Sequence, residues 1–545
     1  MRRWNGWTDE GDDVGLPDGA ARLLDSIVGP GRRPRDATLD EVVAGVRPSR
    51  LPPHPLASGD PVDRIRHARG QSLPDWIALR SGRLGAVPDA VARPSSVPEV
   101  RELLAWSATH GASVVPYGGG TSVVGGVTPA DDGRPVLTLA LERLAGLRGL
   151  DPRSGLATFG AGTVGPDLEA ALAPHGLGLG HSPQSFERST VGGWVATRSA
   201  GHQSIGVGRI EALFAGGRVE APAGTLDLPP HPASAAGPDL RQLVLGSEGR
   251  FGILTEVTVR ALPRPQAERL GSWFLPDWER GLDAARVLAQ ARLPLSMVRL
   301  STPTETATLL AMADRTPTIR ALDRYLRLRR IGERRCLLIV TAAGRRRVVD
   351  AALHEARGIV GHSGGVGVGA SVGRQWLRGR LRAAGIRDRL WEWGYAVDTL
   401  ETAVDWTALP SLAEAVGRVL RDGLEPDAER VHAFSHLSHV YGSGSSLYTT
   451  FVFRLAADPD ETLDRWRRLK RAASDAIVEH GGTISHQHGV GRDHVPWLEA
   501  EKGALGMATI ATIARRLDPG GLMNPGVLLP ADGAAVAHDA AAAGR

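Results

Sequence analysis

Three glycine-dense loops, each at the edge of a strand-like or helix-like segment, constrain this chain more than any other feature. The first, PYGGGTSVVGG, runs from Pro116 to Gly126. The second, HSPQSFERSTVGGWVATRSAG, covers 181–201, and the third, GSEGRFGILTE, covers 246–256. Glycine runs after a strand let backbone N–H groups approach phosphate oxygens closely. A single cluster of this kind reads as a plain turn. Three together suit a long ligand with a pyrophosphate and two ring systems. The first loop is not a dinucleotide-fold GxGxxG, because no helical pattern opens directly after it. GGVGVGASVG, 364–373, looks superficially like that motif, but no clean strand precedes it and it reads as a loop.

Around these loops the chain alternates helix and strand. VPEVRELLAWSATHG, 97–111, has apolar residues at helical spacing and stops at Gly111. The β-branched run ASVVPY leads into the first glycine cluster, and ILTEVTVRAL, 253–262, reads as a strand. ALPRPQ, 261–266, has the composition of a linker. Beyond it lie Arg-rich helices, the strand candidates RCLLIV and LYTTFVFRL, and a helix over 461–480. The organisation expected is an extended and partly helical segment over 1–85, a glycine-loop domain over 86–266, a second domain over 267–480, a closing segment over 481–530 and a disordered Ala-rich tail over 531–545.

The 545 residues, at roughly 100–200 per domain, allow several domains with ample core. A net charge of +4 is small for this length and does not imply nucleic-acid binding; a local basic pocket for an anionic substrate is the milder inference. The single cysteine, Cys336, excludes internal disulfides, iron–sulfur clusters and Cys-rich zinc sites. The start, MRRWNGWTDEGDD, has no apolar core of a signal peptide, no run approaches the roughly 20 apolar residues of a membrane span, and AAGR is not a peroxisomal S-K-L address. Cytoplasm is the expected compartment.

In this order and spacing, the three loops resemble the FAD-binding segments of the vanillyl-alcohol-oxidase superfamily. DPGGLMNPGVLLP, 518–530, resembles its C-terminal flavin-contact motif. The resemblance implies an α+β fold. A two-subdomain FAD-binding domain of the PCMH type carries a substrate cap built on an antiparallel sheet flanked by helices, and 481–530 completes the active site. The cofactor contacts it implies are Pro116, Tyr117, Gly118, Gly119, Gly120, Thr121 and Ser122 in the first loop. The second gives Gln184, Ser185, Phe186, Glu187, Arg188, Ser189 and Thr190, with Thr197, Arg198, Ser199 and Ala200 further on. The third gives Glu248, Gly249, Arg250, Phe251, Gly252, Ile253 and Leu254. Some members attach the flavin through a histidine after the first glycine run, or through cysteine. Here the run reads GGGTS and Cys336 lies elsewhere, so non-covalent FAD is expected.

Within the superfamily, nearly the whole chain resembles the alkyldihydroxyacetonephosphate synthase family. RRWNGW (2–7) is similar to that family's N-terminal tryptophan signature. HARGQSLPDWIALRSG (67–82), the 181–201 block and GGTISHQHGVG (481–491) also match. The resemblance implies exchange of the acyl chain of acyl-dihydroxyacetone phosphate for a long-chain alcohol, an ether-lipid step through a flavin N(5)–substrate adduct without net oxidation. Such chemistry needs a base beside the ketone, cations for the phosphate, polar groups for the enediolate and leaving carboxylate, and an apolar channel. By resemblance, Tyr448 in SSLYTTFVF is the proton-transfer tyrosine. An ordinary phenol, at about 10, needs neighbouring cations to act as a base. His486 and His488 in SHQHG read as a strand pair at i and i+2 sharing one face. The family has three consecutive histidines, and Gln487 replaces the middle one here. Arg299 matches an active-site arginine and Arg387 a substrate-binding one, residues suited to bidentate phosphate contacts. His181 matches a histidine near the flavin; Ser182 follows it where the family often has an acidic residue.

Two rival readings start from the same residues. A 2-hydroxy-acid dehydrogenase of the D-lactate or glycolate kind would carry a metal site from H-x-G-D-G-N-L-H and a glutamate in G-E-H-G. In HVYGSGSSLY, 439–448, His439 stands for the first ligand, while Tyr448 and Gln487 replace the other two. Both are poor ligands for a divalent metal, so none is expected. The NPG at 524–526 leans toward the dehydrogenases. A non-catalytic subunit is the other alternative, and retention of Tyr448, His486, His488 and Arg299 argues against it. The expected partners are lipid-like small molecules. A homodimer is the expected assembly, and peripheral membrane contact follows from substrate chemistry alone, since no segment shows an amphipathic signature.

Overall fold

The computed structural model describes residues 2–12, 15–312, 317–379 and 385–531. The tail expected to be disordered lies, from 532 onward, outside the described residues. The first glycine loop grows from a small parallel unit. Strands Ala90–Ala92 and Ser113–Tyr117 both run parallel to Val136–Ala140, and the helix Val97–Thr109 connects them. That helix starts at Ser96, whose hydroxyl accepts the Glu99 N–H, with Pro98 in the first turn. Val100, Leu103, Leu104 and Ser107 form its buried face, at the spacing of one helical stripe. The strand then ends in Gly118–Gly120, with no helix after it.

A second, antiparallel sheet of five strands follows in the order Leu147–Asp151, Leu156–Gly160, Ile253–Arg260, Phe214–Ala221, Gly224–Leu228. Phe159, Trp194, Phe214, Val257 and Val259 share its core. Trp194 lies on the helix Val191–Thr197, capped by Thr190, so the second glycine loop is anchored in this core.

The remainder builds a seven-stranded sheet in which every pairing is antiparallel. Its order is Val366–Gly367, Ala267–Leu275, Cys336–Gly344, Met297–Ser301, His432–Leu437, Gly444–Arg454, Tyr395–Asp405. Side chains alternate across a strand. Leu300, Leu437, Leu447 and Leu400 therefore share one face, packed with Leu288, Ala352, Leu412, Val416, Trp466 and Leu469 of the covering helices. The opposite face carries Arg299, His436, Tyr448 and Glu401. The GGVGVGASVG stretch is mostly loop, with Val366–Gly367 as a two-residue edge strand and a helix opening at Ser371.

The N-terminal tryptophan signature is a clamp. Trp7 and Thr8 donate their backbone N–H groups to Asp388 Oδ2 at 3.0 and 2.9 Å. Asp388, on the helix Ile386–Glu392, pairs through its other oxygen with buried Arg80 at 2.7 Å. A Cβ at Gly6 would collide with that same oxygen, so the signature needs glycine there. Among the described residues, no helix is long and apolar enough to cross a membrane.

Candidate active site

Tyr448 stands mid-way along Gly444–Arg454, with Glu401 as its cross-strand partner on one side and His436 on the other. Its ring stacks on His436 with centroids 4.9 Å apart and meets His488 edge-on at 6.0 Å. The phenol donates to Gln184 Oε1 of the second glycine loop at 3.4 Å, so the cap sheet touches that loop at this residue. Burial pushes the Tyr448 phenol up to about 12, with a Thr399 hydrogen bond and Arg387 opposing. This corrects the expectation that neighbouring cations lower it: desolvation of a buried phenolate outweighs one arginine.

Both candidate arginines are held by buried carboxylates. Arg299 Nη2 donates to Glu305 Oε1 at 2.8 Å and Nη1 to Ser301 Oγ at 2.6 Å. The same Glu305 oxygen takes His436 Nδ1 at 2.8 Å. Burial works to raise the Glu305 carboxyl, yet Arg299 and His436 bring it down to about 2. Burial and the Arg299 charge hold His436 below its ordinary range, so it is neutral at pH 7. Arg387 Nη2 donates to Asp398 Oδ1 at 3.0 Å and Nη1 to Gln71 O. Asp398 is fixed from its other side by Trp466 Nε1 at 2.7 Å.

His486 and His488 are not on a strand. They lie in a loop where Gly481, Gly489 and Gly491 take positive φ, which breaks any ladder. Their rings go different ways. Buried His486 stacks on His439 at 5.0 Å and bonds the Tyr441 hydroxyl at 2.6 Å, whereas His488 faces Tyr448. Burial lowers His488, leaving it neutral. Gln487, in the position of the missing middle histidine, donates to Glu401 Oε2. His181 is buried beside Trp194 (4.9 Å) with Nε2 near Ser199 Oγ at 3.2 Å. Burial takes it down to about 3, so it is a neutral ring, and its Nδ1 has no protein partner.

The three glycine loops meet. A Cβ at Gly118 would lie 2.5 Å from Thr190 Oγ1, and one at Gly119 would collide with Arg188 O. Glu248 accepts the Val490 and Gly491 N–H groups at 2.6 and 2.7 Å, tying the third loop to the histidine loop. Asn524 of the NPG turn donates to Gly126 O at 3.0 Å and Glu248 O at 2.8 Å. Beside the first loop lies a cavity of about 390 Å³ lined by Arg2, Arg66, Arg69, Tyr117, Gly119 and Arg188. Five arginines, these four and Arg3, around bare glycine backbone suit a pyrophosphate.

Comparison with known proteins shows what this geometry is similar to. A model described as an FAD binding domain matches residues 88–227, and one for the C-terminal domain of FAD-linked oxidases matches 264–528. An alkyldihydroxyacetonephosphate synthase from Dictyostelium discoideum is 29% identical, over 97% of this chain and 93% of its own. One from Trypanosoma brucei brucei is 28% identical, over 86% and 78%. A solved structure of alkyldihydroxyacetonephosphate synthase superposes with a TM-score of 0.82 at 26% identity, covering 96% of this chain and 98% of the other. The chain is similar to the alkyldihydroxyacetonephosphate synthases along nearly its whole length. It is an enzyme with FAD as cofactor, and the fold is the vanillyl-alcohol-oxidase type expected.

The structure sorts the residues expected to hold FAD. Gly118 to Gly120, Arg188 to Thr190, Glu248 and Gly249 converge where the loops close. Phe251, Ile253 and Leu254 do not present side chains there. Phe251 packs with Ala514 and Leu529, and Ile253 and Leu254 fall in the two sheet cores, because the strand Ile253–Arg260 begins at that point. The Arg250 guanidinium turns to Met523 O. Glu305, His436, Glu401 and Asp398 were missed by sequence reasoning. His436, Asp398 and Glu401 are polar residues set within the strands HAFSHL and YAVDTLETAVD, and Glu305 lies on the helix PTETATLLAM.

Proposed function

We propose that this chain is an alkyldihydroxyacetonephosphate synthase, replacing the acyl group of acyl-dihydroxyacetone phosphate by a long-chain alcohol. The observation that carries this is Tyr448: it occupies the dehydrogenase ligand position, yet its hydroxyl reaches Gln184 of a cofactor loop. When bound, FAD supplies a ring nitrogen that exchanges bonds with the substrate carbon and ends in its starting oxidation state. Gly118 to Gly120, Arg188 to Thr190 and Glu248 to Gly249 would hold it, without a covalent bond to the chain.

The residues then divide the work by charge state. Tyr448 is protonated at neutral pH, so it moves a proton at its hydroxyl only if a neighbour accepts one. We propose neutral His488, whose ring meets that of Tyr448 edge-on at 6.0 Å, as that acceptor, reached from the hydroxyl when substrate is bound. Arg299, Glu305 and His436 form a linked set that holds the tyrosine ring in place by stacking. Arg387 offers five N–H donors, of which Asp398 and Gln71 take two, leaving capacity for a phosphate. Neutral His181 orients by hydrogen bonding, and His486 does so through the Tyr441 hydroxyl. Because both substrates carry long chains, the reading includes peripheral contact with a membrane from the cytoplasm, and a homodimer as the working form. Sedimentation with anionic vesicles and analytical ultracentrifugation test those two parts.

The core of the reading is tested with acyl-labelled substrate in a single turnover. Wild type should release the fatty acid, and Tyr448→Phe should not, at unchanged flavin content. Equal release by both would remove Tyr448 from the reaction.

A further inference from the structure

Glu401, His439 and His486 come from three separate places: the strand Tyr395–Asp405, the turn after His432–Leu437, and the histidine loop. All three are buried, and one ligand-capable atom of each lies within 4.8 Å of the others. Glu401 Oε1 is 3.8 Å from His439 Nε2 and 3.4 Å from His486 Nδ1. Both separations are too long for ordinary N–H···O hydrogen bonds. They are near the edge of a tetrahedron, since zinc bonds of about 2.0–2.2 Å put neighbouring ligand atoms roughly 3.3–3.6 Å apart.

The surroundings prepare the same atoms. His439 Nδ1 is held by Ser204 Oγ at 2.9 Å, and His486 Nε2 by the Tyr441 hydroxyl at 2.6 Å. The outward nitrogens are thus engaged and the inward ones face the carboxylate, as outer partners arrange metal-binding imidazoles. His486 Nδ1 is buried with no hydrogen-bond partner. Ser438 donates to Glu401 Oε1 at 2.6 Å and Gln487 to Oε2, which fixes the carboxylate. The nearby cation, Arg209, bonds His486 O at 2.8 Å and lies 3.4 Å from the Glu211 carboxylate, so its charge is paired.

We propose that Glu401, His439 and His486 bind a divalent transition-metal cation of the zinc class. Two imidazoles and one carboxylate suit such an ion, and three protein ligands leave a fourth position for water or a substrate oxygen. This revises the expectation of no metal. Tyr448 and Gln487 break the dehydrogenase ligand set, but His439 is kept, and Glu401 and His486 supply two ligands from other positions. Glu401 is the cross-strand partner of Tyr448, so the cation sits beside the proposed proton-transfer residue. The site does not depend on which reaction the enzyme runs.

The test uses the untagged, FAD-loaded full chain without substrate, so it is read separately from the exchange reaction. The protein is stripped with a chelator, reloaded with zinc or cobalt(II), desalted and assayed for metal by mass spectrometry. One equivalent of zinc per chain is expected, and cobalt(II) should give tetrahedral d–d absorption at longer wavelength than the flavin. Glu401→Gln and His439→Ala should lose the retained metal. Ser204→Ala, which touches only an outward nitrogen, should weaken zinc binding by about 10–100-fold with flavin content intact. If His439→Ala does not fold, the wild-type stoichiometry and the Ser204→Ala titration still decide. A wild type that retains no stoichiometric zinc, or binds cobalt(II) without tetrahedral bands, would overturn the proposal.

Discussion

Glu305→Gln isolates one charge in the buried set behind Tyr448. Glu305 Oε1 accepts both Arg299 and His436, and the amide oxygen of glutamine can keep both bonds. What is lost is the negative charge beside Arg299, at a site where both side chains are only 5% exposed. The Glu305 carboxyl stands at about 2 against an ordinary 4.5. At about 1.4 kcal/mol per tenfold change in proton affinity, that difference corresponds to roughly 3 kcal/mol. His436 is neutral at pH 7, so the share owed to Arg299 is about 2–3 kcal/mol. The new amide NH₂ also replaces Oε2, which is buried without a partner, adding about 1–3 kcal/mol for an unsatisfied donor. The total, about 3–6 kcal/mol, overlaps the usual cost of about 3–5 kcal/mol for breaking a buried ion pair. Urea unfolding at neutral pH, read as a midpoint shift at constant slope, measures it. The pH dependence has a fixed sign. A depressed carboxyl gives its full stability above 4.5 and loses it as the pH falls toward 2, so wild type and variant should converge on acidification. A neutral-pH difference below about 1 kcal/mol would refute the reasoning, because it would mean a solvent-screened pair.

Other consequences are as specific. Gly119→Ala drives a Cβ into Arg188 O, so the chain should fold but purify with little FAD, read as the ratio of flavin to protein absorbance. Gly6→Ala forces Asp388 away from Arg80 and should cost about 1–3 kcal/mol of overpacking, with residues 2–12 becoming sensitive to limited proteolysis. Asn524→Ala removes the donor that joins half-buried Gly126 O to buried Glu248 O; loss of both bonds should lower the thermal midpoint and speed FAD loss.

What the sequence could disclose followed from local pattern. The helix Val97–Thr109, the strands Ser113–Tyr117, Ile253–Arg260 and Cys336–Gly344, and the helix Pro459–Glu479 each carry their own periodicity and caps. The glycine loops were legible because backbone approach leaves a compositional mark. The carboxylates of the site were not. Glu305 meets His436 131 residues away, and Glu401 meets Gln487 86 residues away, contacts set by sheet register and loop closure that no local spacing encodes. The alternation in SHQHG suggested a strand, and glycines with positive φ made it a loop instead. RRWNGW was recognisable as a motif, but its reason, Asp388, lies some 380 residues along the chain.

The most direct measurement incubates the purified yellow protein with palmitoyl-dihydroxyacetone phosphate and labelled hexadecanol, anaerobically and without an electron acceptor. The account predicts labelled alkyl-dihydroxyacetone phosphate with the flavin oxidised before and after, and none from Tyr448→Phe. No alkyl product, together with flavin bleaching by a 2-hydroxy acid, would contradict it and assign hydride transfer instead.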